Sequence, residues 1–216
     1  MPATDRNSDL NLVITVSGLG KRFNREWIFR NLNYTFQSGN IYAVTGPNGS
    51  GKSTLLQVLW GQLPQSKGEL KYRDKSKDIP VEEIFKYLTV ATPYLDLIEE
   101  FTLSEHLRFH FKLKPSRNQM KEEEMLDRLR LTHAKDKPIA NFSSGMKQRV
   151  KLGLAFFTQA DLIFLDEPTT NLDQEATGWY HEQLKSLPHN CTIFIASNQT
   201  SEYPSDATIL NILNFK

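Results

Sequence analysis

One glycine-rich segment, Gly46-Pro47-Asn48-Gly49-Ser50-Gly51-Lys52-Ser53, combines the residue types that hold phosphate groups. It fits the P-loop pattern G-x-x-x-x-G-K-[ST]. Its glycines let the backbone turn tightly, so that successive N–H groups point at phosphate oxygens, and a following helix adds its positive N-terminal dipole. We expect Lys52 to bridge the β and γ phosphates of a nucleotide, Ser53 to bind Mg²⁺, and Thr54 to reach the α phosphate. The segment predicts a nucleotide site.

Two acidic residues, Asp166 and Glu167, follow the apolar run 162–165 further along the chain. In open α/β sheets, ligands bind at the carboxyl ends of the strands, where these acids would lie. Asp166 is expected to hold Mg²⁺ through its water shell, and Glu167 to polarise an attacking water. Taken alone, such a pair is more often a turn or a helix cap. Combined with the P-loop, it favours nucleotide hydrolysis.

The elements that must position these residues can be read from the apolar pattern. Residues 12–16 and 32–36 predict strands separated by turns around Gly18, Gly20 and residues 38–39. Residues 41–45 form a compact buried-strand run that leads into the P-loop, and residues 53–60 have a helical pattern. After residue 147, helical stretches at 147–157 and 173–187 alternate with strands at 162–165 and 192–196. This alternation predicts a parallel α/β sheet.

The middle of the chain, about 81–148, is mainly helical in pattern. Thr102 and Glu105 have the spacing of a capping box, and Leu103, Leu107 and Phe111 recur on one helical face. Residues 120–131 form a second charged amphipathic stretch. Packing of these faces into the domain is favoured over binding of a partner.

Composition limits the classes of function. The chain has 216 residues, and 26 Lys and Arg nearly balance 25 Asp and Glu, so an ordinary soluble globular protein is expected and nucleic acid binding has no support. The single cysteine, Cys191, cannot form an internal disulfide, which favours a reducing compartment. No apolar stretch has the length of a membrane span.

The segment Phe142-Ser143-Ser144-Gly145-Met146-Lys147-Gln148-Arg149 resembles the signature of the ATP-binding cassette (ABC) ATPases, usually Leu-Ser-Gly-Gly-Gln followed by a basic residue. The resemblance spans nearly the whole chain. It implies a P-loop NTPase core with a mostly parallel sheet, an N-terminal antiparallel β subdomain and an inserted α-helical subdomain. One ABC ATPase domain over 1–216 would divide into a β subdomain with the P-loop (about 10–80), a helical subdomain (about 81–148) and a return to the core (about 149–216).

The family resemblance also implies a head-to-tail dimer with two composite ATP sites. Ser143, Ser144 and Gly145 would close on the γ phosphate held by the P-loop of a second cassette, although a plain helix cap explains Ser143 equally well. Asp173, in Asn171-Leu172-Asp173, would belong to the D-loop that crosses the dimer interface. Phe23 stands where the family stacks an aromatic ring on adenine. Trp27 competes for that role, and a core position is the alternative for Phe23.

Two positions depart from the family pattern. The family glutamine that follows the strand at 88–91 is replaced by Thr92 or Pro93; a threonine hydroxyl could reach Mg²⁺ or water, whereas proline could not. Asn198 replaces a histidine that touches the γ phosphate, and its neutral amide cannot carry charge. Because loss of one transition-state donor costs roughly 10²–10³ in turnover and Glu167 is retained, a slow ATPase is expected.

The resemblance implies an ATP- and Mg²⁺-dependent subunit that drives an ABC transporter through separate transmembrane permease subunits, held at the cytoplasmic face of the membrane. The style of residues 144–149 is similar to multidrug and haem exporter ATPases, which favours export. The second cassette is either a copy of this chain or a different one. The alternatives are a soluble ABC ATPase in cofactor assembly or in nucleic-acid or ribosome work, and a weakly hydrolysing dimerisation switch.

Overall fold

The computed structural model describes residues 11–75 and 77–216, which form two β-sheets with helices packed around them. The strands are β1 (Leu12–Phe23), β2 (Glu26–Phe36), β3 (Ile41–Thr45), β4 (Lys67–Asp74), β5 (Lys77–Ile79), β6 (Leu88–Ala91), β7 (Leu162–Asp166), β8 (Thr192–Ala196) and β9 (Thr208–Asn211). The α-helices are α1 (Lys52–Leu59), α2 (Leu103–Leu113), α3 (Glu122–Arg128), α4 (Ser144–Phe157) and α5 (Gln174–Lys185). Short 3-10 helices cover Val81–Lys86, Arg117–Gln119, Thr132–Ala134, Ile139–Asn141, Thr200–Glu202 and Ile212–Phe215.

An antiparallel sheet near the N-terminus has the strand order β2-β1-β4-β5. The turn predicted around Gly18 and Gly20 is wrong, because β1 continues through both glycines to Phe23. Its pairing with β2 instead shifts register between Val16 and Leu19 and again before Lys21. Gly18, with a φ of 57°, takes up the local distortion. The glycines therefore mark bulges inside one long strand.

The second sheet is parallel throughout, with the order β6-β7-β8-β3-β9. Parallel strands bring their carboxyl ends to one edge, so the loops that follow β6, β7, β8 and β3 emerge side by side. The α/β fold with a parallel sheet beside an antiparallel one confirms the predicted fold class.

Side chains of the parallel sheet alternate between two hydrophobic cores. On β7, Leu162 and Phe164 pack with α1 and the antiparallel sheet, whereas Ile163 and Leu165 pack with α2, α3, α4 and α5. Phe164 stacks on Phe194 of β8 with ring centroids 4.7 Å apart. Burial of each such side chain contributes about 1.5–3 kcal/mol. It follows that α1 and α4 lie on opposite faces of the parallel sheet.

The helical part begins with α2, whose capping box between Thr102 and Glu105 is present as predicted. Leu103 and Leu107 are buried, which confirms the packing face. The predicted stretch 120–131 is helical only over α3, because Arg130, with a φ of 56°, turns the chain out of the helix. Helix α4 begins three residues before the predicted 147, since residue 143 caps it. In the part of the chain that the structure describes, no helix is long and apolar enough to cross a bilayer.

Candidate nucleotide-binding site

The P-loop joins the end of β3 to the start of α1. Gly51 precedes the helix with a φ of 106°, and a Cβ there would stand 2.4 Å from Cγ2 of Ile28, so only glycine fits. Among the described residues no side chain caps α1, and its first turn contains no acidic residue. The first amide groups of the helix are therefore left to bind an anion.

Lys52 places its ammonium group across the P-loop. The side chain is buried, and Nζ donates to the carbonyl oxygens of Gly46 at 3.0 Å and Pro47 at 3.2 Å. The buried hydroxyl of Ser50 has no hydrogen-bond partner within residues 11–75 and 77–216. Pro47, Asn48 and Gly49 are exposed, and Ser53 and Thr54 are half-buried. The loop thus combines the positive charge of Lys52 with the unpartnered hydroxyl of Ser50.

Asp166 ends β7 beside the P-loop. The residue is only 3% exposed, and its Oδ1 has no hydrogen-bond partner among the described residues. Burial raises the pKa of its carboxyl above the ordinary value, and a hydrogen bond with Ser53 and the charge of Lys52 oppose that rise. An unpartnered carboxylate oxygen beside a serine hydroxyl is the hard oxygen donor set that Mg²⁺ prefers. The residues present therefore fit this ion.

Glu167 and Asn198 complete the same edge of the sheet. Glu167 adopts a left-handed φ of 45°, and its N–H donates to the carbonyl of Ala196 at 2.9 Å. Asn198, two residues after β8, is exposed and donates from Nδ2 to Oδ1 of Asn48 at 3.0 Å. The amide of Asn198 therefore contacts the P-loop, and Glu167 directly follows Asp166 at the same edge of the sheet.

The position of the missing glutamine is also at this edge. In the parallel pairing of β6 with β7, Ala91 lies opposite Leu165, so the next residue, Thr92, lies level with Asp166. The carbonyl of Pro93 accepts a 2.7 Å hydrogen bond from Nζ of Lys151 on α4. Extending this register by one residue favours Thr92 over Pro93 as the candidate at the site.

The predicted signature, Ser143 to Gly145, lies at the start of α4. Ser143 caps α4 by accepting from the N–H of Met146 at 3.2 Å, and both Ser143 and Ser144 are exposed. A Cβ on Gly145 would approach the carbonyl oxygen of Asn171 to 3.0 Å, so the start of α4 lies against the loop after β7. Asp173 caps α5 by accepting from the N–H of Ala176 at 2.8 Å. These residues share the face opposite to α1.

Phe23 lies at the end of the β1–β2 hairpin and is 46% exposed, which argues against the core position considered for it. The ammonium group of Lys21 stands 5.1 Å from the centre of its ring. Trp27 is half-buried beneath the guanidinium of Arg22. Of the two aromatic candidates, Phe23 is therefore the more exposed.

The family model described as "ABC transporter" matches residues 29–170, more than half of the chain. The chain belongs to the ABC transporter family. As an ATP-binding subunit of this family it binds ATP and hydrolyses it in a reaction coupled to transport.

Several relatives of this ABC subunit align over most of the chain. An uncharacterized ABC transporter ATP-binding protein of Bacillus subtilis, YybJ, is 28% identical over 193 residues, which cover 88% of this chain and 87% of that protein. The Nod factor export ATP-binding protein I of Sinorhizobium fredii is 30% identical over 183 residues, covering 83% of this chain and 53% of that protein. The match therefore spans about half of the Nod factor relative.

Solved structures share the fold. An ABC transporter ATP-binding protein from Pyrococcus furiosus superimposes with a TM-score of 0.78 at 19% identity, covering 94% of this chain and 98% of that one. A bacterial Atm1-family ABC exporter with ATP bound superimposes with a TM-score of 0.76 at 20% identity, covering 98% of this chain and 38% of that one.

The structure of this ABC subunit also shows three residues at the site that the sequence did not single out. Gln148 donates from Nε2 to the carbonyl of Pro168 at 2.9 Å, and Thr169 hydrogen-bonds to the buried carboxylate of Glu202. One sequence feature could have indicated that Gln148 is buried: it lies four residues before the buried Leu152, on the same face of the helix. Glu202, in a short 3-10 turn, had none.

Proposed function

We propose that this ABC subunit drives export through separate membrane-spanning subunits, and that its ATP sites form when it closes head to tail on a second cassette. The observation that carries the proposal is the placement of α1 and α4 on opposite faces of the parallel sheet. One chain therefore presents a P-loop on one face and an exposed signature on the other. Two chains related by a twofold axis could bring each P-loop opposite a signature.

Different residues at and near the P-loop bind different parts of ATP. The amides of 46–54 and the Lys52 ammonium bind the β and γ phosphates, and the exposed ring of Phe23 stacks on adenine. Ser53 and Asp166 hold Mg²⁺, with Thr92 as a further oxygen at the same edge. When bound, the ion neutralises charge that develops on the phosphates.

Glu167 acts as the general base. Its carboxylate accepts a proton as water attacks the γ phosphorus, and the bond to the β–γ bridging oxygen breaks. Asn198 donates a neutral hydrogen bond towards the transferred group, so turnover is slow compared with a site that has a charged donor. Hydrolysis then removes the phosphate that joins the two cassettes.

In the second cassette, the exposed N-terminus of α4 supplies the remaining donors. Ser143, Ser144 and the N–H of Gly145 bind the γ phosphate on the partner's P-loop, and the loop that ends in Asp173 lines the interface. The partner is a second copy of this chain or a different cassette. Residues 1–216 act as one ABC ATPase domain in this assembly.

Closure is tested by adding ATP and Mg²⁺ to the Glu167→Gln variant and measuring its mass by light scattering. We expect a dimer, because ATP stays bound when hydrolysis is blocked. The Ser143→Arg substitution is then made in the Glu167→Gln protein. This double variant should still bind ATP but remain monomeric, because the bulky arginine side chain would block access of the partner's γ phosphate to the N-terminus of α4. The control is Lys185→Arg at an exposed position on α5, which also places an arginine on the surface and should still dimerise. A Ser143→Arg protein that dimerises as fully as the control contradicts the composite site.

Export is supported by relatives named Nod factor export ATP-binding protein I, at 28–30% identity. The membrane-spanning partner would hold this subunit at the cytoplasmic face. The exposed segment after β6, with Tyr94 at 84% exposure, is the surface proposed for that contact. Asp96, Glu99 and Glu100 lie in the same segment.

The partner is tested by tagging the chain in its native cells, solubilising membranes in mild detergent and identifying co-purified proteins by mass spectrometry. We expect a multispanning protein in near-equal amount. Recovery with only ribosomal, DNA-associated or scaffold proteins would contradict the transport role and favour work away from the membrane.

A second candidate function, ATP-dependent dimerisation with little turnover, is favoured by Asn198, because its amide is already bonded to Asn48. Phosphate release separates the two functions. A dimer that forms with ATP and releases no phosphate over many dimer lifetimes would support the switch.

A further inference from the structure

The loop after β7 carries Glu167, the proposed catalytic base, in a strained conformation. Glu167 has a φ of 45°, a value that L residues rarely adopt. Such a conformation persists only when the surrounding structure holds it. The backbone of the next two residues, Pro168 and Thr169, is held by side chains from two separate elements.

The first of these side chains is the carboxylate of Glu202, in the turn after β8. The residue is 1% exposed, and Oε1 accepts from the N–H of Thr169 at 3.0 Å and from the hydroxyl of the same residue. The hydroxyl of Tyr180 on α5 donates to the carbonyl oxygen of Glu202 at 2.7 Å and fixes the turn. A buried carboxylate needs such donors, and they in turn fix the atoms that donate.

The second side chain is Gln148, on α4. It is buried, and Nε2 donates to the carbonyl oxygen of Pro168 at 2.9 Å. Consecutive residues after Glu167 are thus tied to α4 on one side and to the turn after β8 on the other.

We propose that Glu202 and Gln148 are positioning residues for ATP hydrolysis. They hold Pro168 and Thr169 so that Glu167 keeps its left-handed backbone and its carboxylate keeps one position at the edge of the sheet. The role rests on Glu167 as the proposed base. Their contacts are with the loop and not with the P-loop, so their loss should lower kcat while ATP binding is retained.

The test compares Thr169→Val, which keeps the shape and removes the hydroxyl, with Thr169→Ser, which keeps the hydroxyl. Gln148→Met removes the amide donor at similar volume, and Glu202→Gln removes the charge. We expect about a tenfold fall in kcat for Thr169→Val and Gln148→Met, and a smaller fall for Glu202→Gln, with KM for ATP within about twofold of the parent. Thr169→Ser should keep at least half of the parent kcat.

Ser201→Ala is the matched control, because Ser201 is exposed in the same turn as Glu202. It should leave kcat and KM unchanged. Calorimetry with ATP counts the competent sites in every variant, and the number per chain should equal that of the parent. This readout separates a displaced base from a fraction of protein that is not folded.

Three results would overturn the proposal. One is a kcat within twofold of the parent for both Thr169→Val and Gln148→Met. Another is an equal loss in Thr169→Val and Thr169→Ser, and the third is a fall in kcat matched by a fall in the number of ATP sites. If Thr169→Val does not fold, the kcat and the number of ATP sites of Gln148→Met and Glu202→Gln test the proposal instead. If the parent releases phosphate and these variants release it at the same rate, the positioning role is contradicted. The ATPase assignment would still stand in that case.

Discussion

Asn198 donates a 3.0 Å hydrogen bond from Nδ2 to Oδ1 of Asn48, and so joins the loop after β8 to the P-loop. The bond links two of the loops that emerge at the carboxyl edge of the parallel sheet. It also orients the amide at the place where we propose a transition-state donor. The donor there is neutral, which is the physical basis for the slow turnover that we propose.

Replacing this amide with a group that can carry charge should speed hydrolysis. Hydrogen bonds to charged groups are about twice as strong as neutral ones, so we expect Asn198→His to raise kcat about tenfold. Phosphate release under saturating ATP and Mg²⁺ measures the effect. The neighbouring change Gln199→His, also at an exposed position, is the control and should have no effect. Equal rates in all three proteins would mean that position 198 does not act on the transferred phosphate.

Removing the ammonium group of the P-loop should abolish ATP binding. Lys52→Ala deletes a buried cation that donates to Gly46 and Pro47 and would turn to the phosphates when ATP binds. We expect affinity to fall by at least about a hundredfold, the loss of two charge-assisted hydrogen bonds. Calorimetric titration with ATP measures it, and Lys185→Ala, at an exposed position on α5, should bind like the parent. Parent-like affinity in Lys52→Ala would refute the phosphate role.

Acid should weaken the helical part of the protein. Burial lowers the pKa of His110 to about 4, with the charges of Lys114 and His106 adding to the effect. Burial also lowers the pKa of His106. The hydroxyl of Thr158 donates to a backbone carbonyl and so accepts from the neutral His110 ring at 2.9 Å.

The sign follows from which state binds more protons. Above about pH 6.5 the ring is neutral in both states, and between pH 6.5 and about 4 the unfolded chain binds the extra proton. Stability should therefore fall as the pH drops through this window, by about 2 kcal/mol at pH 5 relative to pH 7 for His110 alone. Urea unfolding at both pH values measures it. His110→Gln should reduce the change in unfolding free energy between the two pH values, whereas a substitution at the exposed His133 should not. An unaltered change in His110→Gln would disprove the role of His110 in the acid sensitivity.

The parts of the fold that were predictable are those that depend on contiguous sequence. A strand at 41–45, the P-loop and the following helix form one uninterrupted pattern, and the apolar run before Asp166 could only be a buried strand at that length. Parallel strands then place both segments at one edge of the sheet. This is why the residues proposed for the site could be grouped from the sequence alone.

The parts that were not predictable depend on contacts between distant segments. Gln148 reaches Pro168 across 20 positions, and Thr169 reaches Glu202 across 33. The hydrophobic periodicity of a sequence does not predict hydrogen bonds between residues so far apart. The β1 bulges were missed for a related reason, because a glycine such as Gly18 serves a turn or a bulge equally well, and pairing with β2 decides between them.

The central claim is that Glu167 is the base of an ATP-hydrolysing site, and phosphate release by Glu167→Gln tests it most directly. The amide keeps the shape of the side chain and cannot accept the proton, so we expect turnover to fall by at least about a hundredfold while ATP still binds. Glu123→Gln, at an exposed position on α3, should hydrolyse ATP at the parent rate. Glu167→Gln turnover equal to that of the parent and of the control would contradict the account.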